Sequence, residues 1–375
     1  MKSSIPSILL LAVHVSIVCA AWGQGEQDFP TFTTLPLPHT QPFDHLLSFD
    51  YYHQRCPQLE QIIHKSLQQW IAKDRTIAAS LLRLHFHDCF VTGCDASILL
   101  NHEGSERRAE ESKTLRGFQV IDDIKAEVEK SCPATVSCTD ILTAATRDAT
   151  VLLGGPYWRV PYGRKDSRTS DQKDAETLPT GHESVTTLLE LFQSKGLNLV
   201  DLVVLSGTYC PNSNNPFSCL LLDELTPDGA IFVCPGAHTI GRTSCSAIQQ
   251  RVYQGLNGTS GMPNPPIDDR YLDYLQRKCR CASEEYVDLD ATTPTTFDSQ
   301  FYANLERKMG LLSSDQSLYS DSRTSPIVNA LIQTPSLFRH QFAVSMVRLA
   351  NIQVLSGPHE AGEIRTNCNF VNSYQ

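Results

Sequence analysis

The sequence predicts an all-α protein with very little β-structure. Apolar residues recur at three- and four-residue spacing through most of the body, strand signals are short and weak, and no internal repeat is detectable. With 375 residues, 41% of them hydrophobic, the chain can build a sizeable core. The helical period is clearest over Gln58 to Lys73, Thr76 to Asp88, Gly117 to Glu129, Ser137 to Leu152, Ser184 to Lys195, Leu199 to Ser206 and Thr334 to Ala350. Length alone allows one large domain or two smaller ones over 47–375.

Ahead of that body lie two segments of different character. Lys2 is followed by the apolar run Ile5 to Val18 and by Cys19-Ala20-Ala21. A basic start, a short apolar stretch and small residues read as a cleaved secretory signal over 1–21. The run is short for a stable span, and no later stretch is long enough, so no membrane partner is expected; an N-terminal anchor is the alternative. Residues 22–46, rich in Pro, Thr, Gln and Gly, read as a mobile segment. Secretion makes sense of the 13 cysteines, because disulfides persist in an oxidising space. The formal charge is −10 with no basic block, which argues against nucleic acid as a partner.

The strongest motif is RLHFHDCFVTGCDAS, Arg83 to Ser97. Ile77, Leu81 and Leu84 share one side of the helix. Arg83 and His87, four apart, share another, so a base and a fixed cation face the same space. That pair suits peroxide chemistry. A neutral imidazole can take a proton from one oxygen and return it to the other. A guanidinium can stabilise the charge that develops as the bond breaks. Asp88, Val91, Gly93, Asp95 and Ser97 then offer carboxylates, carbonyls and a hydroxyl, an oxygen-rich set suited to calcium. Taken alone, Arg-x-x-x-His could be a surface pair, and His85 with His87 could be a zinc fragment lacking further ligands.

These residues resemble the secreted haem peroxidases of the plant class III family, and the resemblance covers nearly the whole chain. It implies a fold of distal and proximal helical halves around haem b. It implies the distal Arg in Arg83, the distal aromatic in Phe86, the distal base in His87 and a first calcium site in Asp88, Val91, Gly93, Asp95 and Ser97. No Cys-x-x-Cys-His motif occurs, so the haem would be held non-covalently. His238, in GAHTIGRTSC, resembles the axial iron ligand; unaided, a lone histidine reads as a core or surface residue. Thr239, Asp290, Thr293, Thr296 and Asp298 resemble the ligands of a second calcium ion. Asp315, which alone reads as a helix cap, matches the aspartate that accepts the proximal imidazole N–H. Pro179, in TLPTG, matches the proline at the substrate entrance. The family's disulfides would be Cys56–Cys132, Cys89–Cys94, Cys138–Cys368 and Cys245–Cys279, with Cys210, Cys219, Cys234 and Cys281 left over.

The implied activity is reduction of hydrogen peroxide to water with one-electron oxidation of small phenols, in lignification, wall cross-linking or oxidative stress. The implied chain is monomeric and apoplastic, since it ends soon after Cys368. The alternative is a haem-poor, calcium-stabilised wall-binding isoform. The Asn257-Gly258-Thr259 sequon is an expected glycosylation site.

Two departures stand out. The family's distal asparagine position holds Glu111, in EESKTLRGF, and Glu106 upstream resembles the distal network glutamate. A carboxylate at 111 is expected to raise the pKa of His87 by its charge, and a rearranged loop that carries it away is the alternative. The second departure is 208–236, which stands between DLVVLSG and AHTIG. It is long for a structureless connection. Gly207-Thr208-Tyr209 permits a GTACGT splice donor and Phe232 to Gly236 a pyrimidine-rich tract ending in AG, so the stretch reads as a retained intron whose removal keeps the frame. A genuine family-specific loop is the alternative.

Overall fold

The structure is a computed structural model that describes residues 47–179, 181–205, 238–253, 265–280, 285–357 and 361–372. Outside them lie the signal and linker segments, the 208–236 stretch with its three cysteines, Cys281 and Asn257. The described residues hold thirteen α-helices, three short 3-10 turns and one two-stranded sheet, as the helical period requires. None of the helices is long and apolar enough to cross a membrane.

Helix α1 (Leu59–Lys73) buries Leu59, Ile63, Leu67 and Ile71, a stripe with four-residue spacing. Helix α2 (Ile77–Val91) is buried at all 15 positions, so it is a central rod rather than an amphipathic one. It runs one turn past Asp88, where the apolar pattern had suggested an end, because Cys89, Phe90 and Val91 are also buried. Helix α3 (Phe118–Ser131) starts at Gly117, whose φ is 104° and whose place a side chain could not take, since a Cβ would sit 3.0 Å from Leu81 Cδ2. Helix α4 (Cys138–Leu152) packs on α1 and α2. Its N-terminal amides of Cys138 and Thr139 donate to the buried carboxylate of Asp166, both at 3.0 Å. The short α5 (Gln172–Ala175), α6 (Val185–Ser194) and α7 (Leu199–Leu205) complete this part of the chain.

The second part begins at His238. Strand β1 (Arg242–Ser244) leads into α8 (Cys245–Tyr253), then α9 (Asp269–Lys278) and strand β2 (Tyr286–Asp288). The strands pair antiparallel, Arg242 opposite Asp288. Helices α10 (Gln300–Glu306), α11 (Ser313–Ser320), α12 (Ser325–Gln333) and α13 (Pro335–Leu349) follow, and α13 packs back on α7. The four disulfides form between the cysteines that the resemblance pairs: Cys56–Cys132, Cys89–Cys94, Cys138–Cys368 and Cys245–Cys279.

Candidate active site

Helix α2 brings Arg83 and His87 into direct contact. Arg83 Nε–H donates to His87 Nε2 at 3.2 Å, and both residues are buried. The rest of the guanidinium is fixed from the loop before α3, with Nη1 donating to Thr114 Oγ1 at 2.9 Å and Nη2 to the Glu111 carbonyl at 2.8 Å. Burial, and after it the Arg83 charge, holds the His87 pKa well below its ordinary value, so the imidazole is neutral. Since Nε2 accepts from Arg83, the remaining proton sits on Nδ1. That atom is buried and has no hydrogen-bond partner among the described residues. The expected rise of the His87 pKa is corrected: burial and then Arg83 push it down, and the Glu111 carbonyl accepts from Arg83. Phe86 stacks on Phe90 with centroids 4.2 Å apart and presents an edge to His87 at 6.3 Å. His85 faces elsewhere, its Nδ1 lying 3.6 Å from Cys89 Sγ, so the two histidines of the zinc alternative diverge.

The oxygen-rich turn follows at once. Asp88 Oδ2 accepts from the Ala96 amide at 3.0 Å, and Asp95 Oδ1 from the Ser97 amide at 3.0 Å. Thr92 Oγ1 lies 3.1 Å from Ser97 Oγ and 3.4 Å from Asp95 Oδ2. Gly93 is required here: its φ is +122° and a Cβ would meet the Gln353 carbonyl oxygen at 2.5 Å. The Val91 carbonyl accepts from Lys195 Nζ at 2.8 Å, a contact a metal ion would share or displace. Asp88 Oδ1 is buried without a hydrogen-bond partner among the described residues. Burial and then Asp95 raise the Asp88 pKa well above the usual carboxylate range, and burial likewise raises Asp95. Burial and then Asp95 lift Glu106 to about 8. Crowded, desolvated carboxylates with an orphaned oxygen fit a hard cation. Among the described residues no three His, Cys, Asp or Glu side chains converge as a metal site, so such a cation would depend on carbonyl and hydroxyl oxygens as well.

On the opposite side His238 is fully buried. Its Nδ1 lies 3.0 and 3.1 Å from the two oxygens of Asp315, which stands in the first turn of α11. Burial lowers the His238 pKa against the pull of Asp315, keeping the ring neutral. A neutral imidazole oriented by a buried carboxylate through Nδ1 assigns any axial bond to Nε2, and this donor fits haem iron. Phe301 meets the ring edge-on at 5.8 Å.

Thr239, the next residue, closes the second oxygen-rich set. Its Oγ1 donates to the Asp298 carbonyl at 2.7 Å and lies 3.3 Å from the Thr296 carbonyl. Thr293 Oγ1 lies 3.2 Å from Asp290 Oδ2 and 3.0 Å from Asp298 Oδ1. Burial raises the Asp290 pKa and Asp298 adds to it, partly offset by amides of Thr293 and Thr292. All five expected residues thus share one cluster. Pro179 is buried in the stretch between α5 and α6. That stretch is tied to α11 next to Asp315, where the Ser314 amide donates to the Gly181 carbonyl at 3.2 Å.

Sequence reasoning missed Thr114, Phe301 and Asn304, whose Nδ2 donates to Asp290 Oδ1 at 2.8 Å. None carries a local signal; each reaches its partner across the fold.

A family model described as Peroxidase matches residues 63–334, a span that contains Arg83, His87, His238 and Asp315. Peroxidase 7 of Arabidopsis thaliana is 52% identical over 350 residues, covering 93% of this chain and 89% of that one. Peroxidase 10 of the same plant is 39% identical over 332 residues, 86% of each chain. Peroxidase 15 of Ipomoea batatas is 39% identical over 336 residues, 87% of this chain and 93% of that one.

Proposed function

The chain belongs to the plant class III peroxidase family and is a haem peroxidase, and from that premise we propose the roles of its residues, its donors and its setting. The observation that carries the proposal is the pairing of Arg83 with His87 on one side and of His238 with Asp315 on the other. Bound haem b supplies the redox-active iron at which hydrogen peroxide is reduced. His238 Nε2 would hold that iron, and Asp315, at 3.0 Å from Nδ1, fixes the ring and would strengthen it as a donor. His87, neutral, takes a proton from the incoming peroxide at Nε2 and returns it to the departing oxygen. Arg83 must release His87 Nε2 for that transfer, and its charge then faces the developing negative oxygen.

We further propose two calcium ions, one at Asp88, Val91, Gly93, Asp95 and Ser97, the other at Thr239, Asp290, Thr293, Thr296 and Asp298. The orphaned Asp88 oxygen supports the first. The donors are small phenols that reach the haem edge past Pro179. The chain is a secreted monomer of the cell wall, with no nucleic-acid or membrane partner. Its body is 47–375, behind a cleaved signal at 1–21 and a linker at 22–46. The residues at the two ends of 208–236 permit splice-site codons, and we propose a mature form in which Gly207 precedes Ala237, which sequencing of full-length transcripts tests. Peroxide-dependent oxidation of a methoxyphenol, with iron and calcium quantified in the same sample, tests the whole reading. Turnover with one iron and two calcium ions per chain is expected; a folded, calcium-loaded but iron-poor and inactive protein would favour the wall-binding isoform.

A further inference from the structure

The extended stretch after α4 alternates in burial. Tyr157 and Arg159 face solvent while Trp158 and Val160 are buried, the period of an extended chain. Tyr157 is 64% exposed and Trp158 only 6%. Trp158 thus points inward from a residue whose neighbour lies on the surface.

Inside, Trp158 joins an unbroken run of ring contacts that ends on the proximal histidine. Its ring meets Phe342 at 5.9 Å. Phe342 meets Phe338 at 6.0 Å, and Phe338 meets Tyr302 at 5.3 Å. Tyr302 meets Phe301 at 5.3 Å, and Phe301 meets His238 at 5.8 Å. Aromatic clusters are ordinary core packing. This one differs in running from the haem ligand to an oxidisable indole that is covalently next to an exposed phenol.

We infer that Trp158 and Tyr157 form a second donor-oxidation point, at which a phenolic polymer too large to approach the haem loses one electron. The inference rests on the peroxidase reading, because peroxide acting at the haem supplies the oxidising equivalents. One electron passes inward from Trp158 along the rings. Tyr157 then reduces Trp158, giving up an electron to the indole and its hydroxyl proton to water. The resulting Tyr157 phenoxyl takes a hydrogen atom from a phenol group of the polymer, which restores Tyr157 and leaves a phenoxyl radical on the polymer. The net change is one electron to the haem and one proton to water for each polymer phenol oxidised, and two such events balance one peroxide.

The surroundings favour Tyr157 over Tyr302 as the resting place of the oxidised state. Tyr302 is buried with its hydroxyl on the Val203 carbonyl at 3.3 Å, and burial, then Asp315, raise its pKa, so its proton is held. Tyr157 reaches water. The Arg147 guanidinium lies 5.1 Å from its ring centroid, which disfavours a cationic ring and makes proton loss accompany electron loss. Arg159 lies 4.3 Å from the Phe49 ring, so an exposed guanidinium–ring pair flanks the point and offers a planar surface to donor rings.

The test uses haem-loaded enzyme, wild type and Tyr157→Phe, a surface change with little expected effect on folding. Each is given peroxide with a nitroso spin trap and no donor, and trapped adducts are mapped by mass spectrometry. Each is then assayed on a methoxyphenol and on a water-soluble synthetic lignin. An adduct on Tyr157 that the variant lacks is expected, together with unchanged methoxyphenol turnover and loss of most of the rate on the polymer. A variant that oxidises the polymer at the wild-type rate, or wild-type adducts confined to other residues, would overturn the inference alone. A wild-type enzyme inactive on both donors would overturn the peroxidase reading with it.

Discussion

Arg83 and His87 touch: the guanidinium Nε–H donates directly to the imidazole Nε2 across 3.2 Å, one helical turn apart on a buried helix. The base is therefore presented to the site in its accepting form, already facing the cation that will share its work. Arg83→Leu and His87→Leu are each expected to keep haem bound while slowing the peroxide step on the order of 10²–10³-fold or more. Stopped-flow mixing with peroxide checks this, and rates within twofold of wild type in either variant would remove the assignment.

Among the described residues His87 Nδ1 has no hydrogen-bond partner, so the hydrogen bond that orients the ring is the one Nε2 accepts from Arg83. Glu111→Asn restores the residue type that the family carries there and tests whether an amide oxygen at that position can accept from Nδ1–H. The peroxide step is expected to quicken by up to about tenfold, the scale of one net hydrogen bond of roughly 1 kcal/mol. An unchanged or slower step in the variant would show that position 111 serves Arg83 alone.

Asp315 sits 3.0 Å from His238 Nδ1, with both side chains inaccessible to solvent. Asp315→Asn removes the charge that favours oxidised iron. The ferric–ferrous potential is expected to shift to more positive values, read by spectroelectrochemical titration. A potential equal to that of wild type would mean the carboxylate caps α11 and does not tune the metal.

Each proposed calcium site begins one residue after a haem-side histidine, Asp88 after His87 and Thr239 after His238. Chelation is therefore expected to lower thermal stability and activity together, with calcium restoring both. A ligand in hundredfold excess over its dissociation constant stabilises by about 2.7 kcal/mol per site, so the melting temperature should fall by several degrees. Full activity and an unchanged melting temperature in protein shown by elemental analysis to lack calcium would defeat the proposal.

The distal side was legible in the sequence because it is local. Arg83 to Ser97 is one continuous motif, and four-residue spacing alone puts the cation and the base on one helix face. The proximal side is not local: His238 and Asp315 are 77 residues apart, and the Cys138–Cys368 bridge spans 230. Neither follows from periodicity, and both were reached through resemblance. Helices α8 to α12 are short, and the period is faint in some of them; α9 buries only Tyr271 and Leu275. Alignment alone could not choose between the two outcomes open for Glu111, because the loop decides where its carboxylate goes, and the pKa of His87 is set chiefly by burial and then by the Arg83 charge.

The most direct test of the proposed site is the absorption spectrum of the purified, haem-reconstituted protein during a single addition of peroxide. A Soret band that shifts within the mixing experiment and returns when a phenol is added is the expected result. In His238→Ala the band should weaken, and in His87→Leu it should remain but fail to shift. A wild-type protein that shows no Soret band, or a band that peroxide leaves unmoved, would contradict the assignment of these two histidines.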